Sequence, residues 1–122
     1  GAKETPMSTV QIEIKDGDDA EVTARLRKAI PERAHVVAME VDGKAWSSHD
    51  LAAYVDRCEN GSVAAVAFLI GGSYGLPKEL SKSAQVRLSL SAMILPHRIA
   101  RLVLAEQIYR AFTISRGEPY SH

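Results

Sequence analysis

The chain carries no excess charge: fifteen lysine and arginine side chains are balanced by fifteen aspartates and glutamates in 122 residues. Global electrostatics therefore do not announce a nucleic-acid partner, and any such site has to be local. There is a single cysteine, Cys58, which excludes an intrachain disulfide and suits a reducing compartment. No run approaches the ~20 apolar residues of a membrane span, and the start lacks the pattern of a secretion signal. The chain thus reads as cytoplasmic, with no membrane partner. Repeats, low-complexity tracts and linkers are missing, so residues 1–122 read as one domain. The four histidines form no i, i+4 pair and Cys58 has no companion, so no metal site is expected. Gly71-Gly72-Ser73-Tyr74-Gly75 fits the spacing G-x-S-x-G, but so short a pattern carries little weight by itself, and Ser73 is not expected to be a hydrolase nucleophile.

What is present is an alternation of strand and helix signals. Val10, Ile12 and Ile14 alternate with polar residues as in a half-buried strand. Asp16-Gly17-Asp18-Asp19 supplies a turn and a helix cap, after which Val22, Leu26 and Ile30 recur at helical spacing up to Pro31. One helix from Ser8 to Ile30 is the competing reading, weakened by Gly17 and the aspartates. His35 to Val41 reads as a buried strand ended by Asp42-Gly43. Ser47-Ser48-His49-Asp50 has the form of a capping box and opens a helix that ends near Asn60-Gly61, with Cys58 as a structural thiol within it. Val63 to Ile70 is almost wholly apolar, as in a central parallel strand buried on both faces. Pro77 suits the first turn of another helix, and Val86 to Leu90 reads as a fourth strand.

The last helix, about Arg98 to Ser115, is apolar almost all round. A surface helix needs only one apolar stripe. Either this helix is buried on every side, or one stripe packs on the sheet and the other forms a homodimer interface.

Chemistry concentrates in two loops. The strand ending Phe68-Leu69-Ile70 runs straight into Gly71-Gly72-Ser73-Tyr74-Gly75, the strand–loop–helix arrangement in which α/β proteins bind nucleotide-like ligands. The spacing is neither G-x-G-x-x-G nor a P-loop, so by itself this loop either binds a ligand or only turns a corner. The second loop is Leu88-Ser89-Leu90-Ser91-Ala92-Met93-Ile94-Leu95-Pro96-His97. Downstream, Arg98 and Arg101 stand one helical turn apart; they suit a phosphate backbone, or equally a solvated helix face.

Four ordered segments resemble one family: Gly71 to Leu76, Leu88 to His97, Arg101-Leu102-Val103-Leu104-Ala105-Glu106-Gln107-Ile108-Tyr109-Arg110-Ala111, and Arg116-Gly117-Glu118-Pro119-Tyr120. Val36 to Trp46 is similar to that family's preceding strand and turn. The family is the RlmH type of ribosomal RNA large-subunit methyltransferase in the SPOUT superfamily. The resemblance implies an α/β fold, a SPOUT-type parallel sheet flanked by helices with a C-terminal trefoil knot. It implies S-adenosyl-L-methionine as cofactor, a homodimer, and methylation of N3 of a pseudouridine in large-subunit (23S) rRNA within the assembled 70S ribosome. By position the family's cofactor contacts fall on Met39, Gly71, Gly72, Leu90, Ser91, Ala92, Met93, Ile94 and Leu95.

For catalysis, Tyr120 and His122 are expected to orient or deprotonate the target base, with His97 as a further candidate and Arg101 holding phosphate or shaping the pocket. The sequence departs from the family twice. It lacks the family's usual first strand and helix, and Ser121 stands where a histidine usually follows the tyrosine, leaving His122 to reach that place. Two alternatives follow: a catalytically inactive, cofactor-binding or ribosome-associated module, or a SPOUT methyltransferase acting on another RNA such as tRNA.

Overall fold

The computed structural model describes residues 7–13, 17–72 and 75–119. Strands and helices alternate along the chain: β1 (Ser8–Glu13), α1 (Asp19–Ala29), β2 (Ala34–Ala45), α2 (Ser48–Asn60), β3 (Ala65–Ile70), α3 (Lys78–Ser83), β4 (Val86–Ser89) and α4 (His97–Ser115). The four strands form one sheet in the order β1-β3-β2-β4, with every pairing parallel. A helix between each pair of successive strands is what parallel pairing requires.

Local chemistry explains the helix starts. Asp18 caps α1 by accepting from the Glu21 N–H at 2.9 Å, which rules out one helix running from Ser8 to Ile30. At α2, Ser47 Oγ accepts from the Asp50 N–H at 3.0 Å and Asp50 Oδ2 accepts from the Ser47 N–H at 2.9 Å, completing the reciprocal box. Pro77 and Pro96 precede α3 and α4 without a side-chain cap. Helix α4 begins at His97, so this histidine is helical rather than part of the preceding loop.

Every residue of β3 is buried, because β1 and β2 flank it and helices cover both faces. Its alternation divides the core in two. Val66, Phe68 and Ile70 pack with Leu51, Val55 and Cys58 of α2 and Leu104, Ile108 and Ala111 of α4. Leu69 turns the other way, joining Ala38 with Val22 and Leu26 of α1 and Leu80 of α3. Ile14, expected to continue β1, lies outside the described residues.

One expectation is revised and one of two alternatives is excluded. Asp42-Gly43 does not end β2: the strand continues to Ala45, and both Met39 and Lys44 register against Leu88, so the intervening residues bulge. The bulge needs a glycine, since a Cβ on Gly43 would stand 2.7 Å from the Arg87 carbonyl carbon. Burial of α4 on all sides is also excluded. Leu104, Ile108 and Ala111 face the core, whereas Ile99, Leu102 and Tyr109 are 47%, 67% and 55% exposed.

Candidate active site

The carboxyl ends of β2, β3 and β4 surround a cavity of about 570 Å³. Strand β2 contributes Met39, Glu40 and Val41, and β3 delivers Ile70, Gly71, Gly72 and Gly75. Beyond β4 the chain contributes Leu90, Ser91, Met93, Ile94, Leu95 and Pro96, and α4 closes the wall with His97 and Ala100. A cavity of this size, mostly apolar with a few polar groups, at the strand ends of a parallel sheet, suits a nucleoside-sized ligand.

The glycine turn owes its composition first to the chain's own backbone. Gly72 and Gly75 form an isolated antiparallel bridge, the Gly75 N–H donates to the Gly72 carbonyl at 3.0 Å, and Gly75 has a left-handed φ of 78°. A Cβ on Gly71 would lie 2.6 Å from the Gly75 carbonyl carbon. The turn is therefore both a corner and a cavity wall. The second loop is held by its serines. Ser89 Oγ donates to the Ser91 carbonyl at 3.0 Å, while Ser91 Oγ accepts from the Met93 N–H at 2.9 Å. This bracing leaves Met93 and Ile94 at the mouth, 76% and 85% exposed.

Residues 3–122 match the family model described as "Predicted SPOUT methyltransferase". The chain belongs to the SPOUT methyltransferase family. A protein of Sorangium cellulosum (strain So ce56) named "Ribosomal RNA large subunit methyltransferase H" is 53% identical over 112 residues, covering 92% of this chain and 77% of that protein. Proteins of the same name from Listeria monocytogenes serotype 4a (strain HCC23) and Bacillus thuringiensis (strain Al Hakam) are 44% and 48% identical over 88% and 79% of this chain. The chain spans 65% and 60% of the length of those two relatives.

In this SPOUT methyltransferase the residues expected at a cofactor site come together: Met39, Gly71, Gly72, Leu90, Ser91, Met93, Ile94 and Leu95 all line the cavity. Ala92 sits in the same loop, exposed, and is not part of the lining. Of the catalytic candidates, His97 lines the wall. Arg101, one turn along α4, is outside the lining and its Nη1 pairs with Glu13 Oε1 at 3.3 Å. Tyr120, His122 and Ser121 lie outside the described residues, as do Ser73 and Tyr74. Among the described residues no group of three or more His, Cys, Asp or Glu is placed to hold a metal ion, and no helix is long and apolar enough to cross a membrane.

Glu40 belongs to the lining and was missed by sequence reasoning. The available signal was an acid interrupting the apolar run His35 to Val41, which alternation alone assigned to a strand face. Cys58 is buried, as expected of a structural thiol. It stands 3.8 Å from His35 Nδ1, which is 3.2 Å from the Tyr54 hydroxyl. Burial pushes both the Cys58 thiol and the Tyr54 phenol above their ordinary ranges, so both are held neutral. None of the three lines the cavity.

Proposed function

We propose that this SPOUT methyltransferase methylates N3 of a pseudouridine in large-subunit rRNA on the assembled ribosome, using S-adenosylmethionine and acting in the cytoplasm as a homodimer. The observation that carries the reading is the cavity itself, where the glycine turn and the 90–96 loop close over the ends of a parallel sheet in a chain of this family. The relatives' name supplies the substrate class. The cofactor, when bound, supplies a methyl group already activated on a sulfonium, so the protein's work is chiefly positioning.

The residues fit that task. Met39, Leu90, Ile94 and Leu95 offer apolar surface to enclose an adenine, and the backbone of the 90–95 loop offers donors and acceptors for its edge. His97, which lines the cavity wall, is assigned as a further candidate to take the proton that N3 loses. Tyr120 and His122 are assigned to orienting or deprotonating the base, and Arg101 to holding phosphate or shaping the pocket. Ile99, Leu102 and Tyr109 give α4 an apolar outer face, which favours a second copy as its cover. The same reading implies a trefoil knot in the C-terminal segment.

Calorimetry with S-adenosylmethionine tests the cofactor, with Gly71→Arg as the blocked variant. Transfer of labelled methyl to vacant ribosomes, separated subunits and tRNA tests the acceptor. The expected result is binding lost in Gly71→Arg and label on large-subunit rRNA of whole ribosomes. Binding without transfer to any RNA would identify an inactive module, and label on tRNA alone would replace the acceptor.

A further inference from the structure

Among the described residues Glu40 is the only acid lining the cavity, and no role above uses it. Its carboxylate is fixed from behind. Ser81, 3% exposed, donates its hydroxyl to Glu40 Oε2 at 2.5 Å, and Arg87 Nε donates to Ser81 Oγ at 3.1 Å. Arg87 Nη2 lies 2.9 Å from Asp42 Oδ1 but 3.6 Å from Glu40 Oε2. Two carboxylates thus share one guanidinium, which leaves one negative charge uncompensated. The Asp42 side chain is 77% exposed and water screens it; that of Glu40 is 21% exposed. The excess charge is therefore felt mainly at the cavity wall. Both contacts also engage Oε2, and Oε1 has no hydrogen bond among the described residues.

We propose that Glu40 is a specificity-determining residue of this cavity, whose carboxylate favours a cationic sulfonium donor over the neutral thioether left after transfer. The inference rests on the cofactor reading above. In the transfer, the sulfur–methyl bond breaks with its electron pair returning to sulfur, the methyl–N3 bond forms, and the N3 proton leaves to a base. The donor and its product, S-adenosylhomocysteine, share adenine, ribose, ammonium and carboxylate; they differ in one methyl and one positive charge. A fixed anion on the wall acts on that difference, holding the donor and releasing the product.

Calorimetry with both molecules on the parent, Glu40→Gln and Asp42→Asn tests this. Glutamine keeps an acceptor for Ser81 while removing the charge. Glu40→Gln is expected to weaken donor binding about 5–10-fold, the effect of one partly screened charge pair, and to leave product binding within about twofold. Asp42→Asn, off the wall, leaves Arg87 to Glu40 alone and is expected to lower the donor-to-product ratio in the same direction but by less than Glu40→Gln, since the carboxylate at the wall remains. Equal losses for both molecules, or no loss for either, would overturn the proposal. If Glu40→Gln does not fold, the parent decides: raising salt from about 50 to 500 mM should lower donor affinity but not product affinity, and a ratio insensitive to salt would overturn it. A parent that binds neither molecule would instead remove the cofactor reading, and this inference with it.

Discussion

Replacing Gly71 by alanine probes the contact that shapes the candidate site. The new Cβ would stand 2.6 Å from the Gly75 carbonyl carbon, 2.8 Å from its Cα and 2.9 Å from the Leu76 nitrogen. All three atoms are backbone, so no flexible side chain can swing aside. Reaching an ordinary 3.4 Å contact requires the two segments to part by 0.8 Å (3.4 minus 2.6). That movement strains the bond from the Gly75 N–H to the Gly72 carbonyl, now 3.0 Å. Overpacking typically costs about 1–3 kcal/mol and a weakened hydrogen bond about 1 kcal/mol. Gly71→Ala is therefore expected to lose roughly 2–4 kcal/mol, against a total stability of about 5–15 kcal/mol. The comparison variant is Gly75→Ala. Its Cβ would meet nothing within 4 Å, and its cost is only the left-handed φ of 78°, about 1–2 kcal/mol. Urea unfolding read by circular dichroism gives both values, provided the slope is unchanged. The expected order of stability is parent, Gly75→Ala, Gly71→Ala. The displaced wall should also weaken S-adenosylmethionine roughly tenfold, about 1.4 kcal/mol. A Gly71→Ala protein that unfolds and binds like the parent would refute the close approach as the reason for this glycine.

Leu104→Ala, at a site with no exposure, is expected to cost about 2–5 kcal/mol in the same unfolding assay, whereas Leu102→Glu on the exposed face should leave folding intact and convert the proposed dimer to monomers by light scattering. An unchanged mass would remove α4 from the interface. Arg101→Ala should change stability by under about 1 kcal/mol, because its pair with Glu13 has side chains 61% and 36% exposed. If Arg101 holds phosphate, its loss should raise the KM for ribosomes several-fold and leave cofactor affinity alone; an unaltered KM would dismiss that role. The Tyr54 and Cys58 protons are held more tightly in the folded state than in the unfolded chain. Their contribution to stability is thus complete below the unfolded values, about 8.5 for a thiol and 10 for a phenol, and is lost as pH rises through and beyond them. Urea midpoints should hold between pH 7 and 8 and fall toward pH 10.5, and Cys58 should resist thiol reagents until the protein unfolds. A midpoint that rises over that range would contradict the burial of this pair.

Patterns of short range were legible in the sequence. The alternation of Val10 and Ile12, the box of Ser47 and Asp50, the capping aspartate before α1 and the doubly buried run of β3 each depend on residues within a few positions. Sequence pattern and resemblance also indicated which loops matter, because an apolar strand that ends in glycines is a local event. What lay beyond reach were the choices made between distant segments. Asp42-Gly43 reads as a turn, yet the pairing of β2 with β4 carries the chain past it as a bulge, since pairing resumes beyond it with Lys44 against Leu88 and Ala45 against Ser89. The apolar surround of α4 admitted two arrangements until α2 and β3 covered one side only. Glu40 read as an acid on a strand, and its place at the cavity arises only when Ser81 and Arg87, over forty residues away, come to hold it. By itself the sequence determined which segments become strand, helix or loop, Asp42-Gly43 apart, because hydrophobic periods and caps act locally. Tertiary structure decided the strand order β1-β3-β2-β4, the open face of α4 and the charge on the cavity wall, because those depend on which surfaces exclude water together.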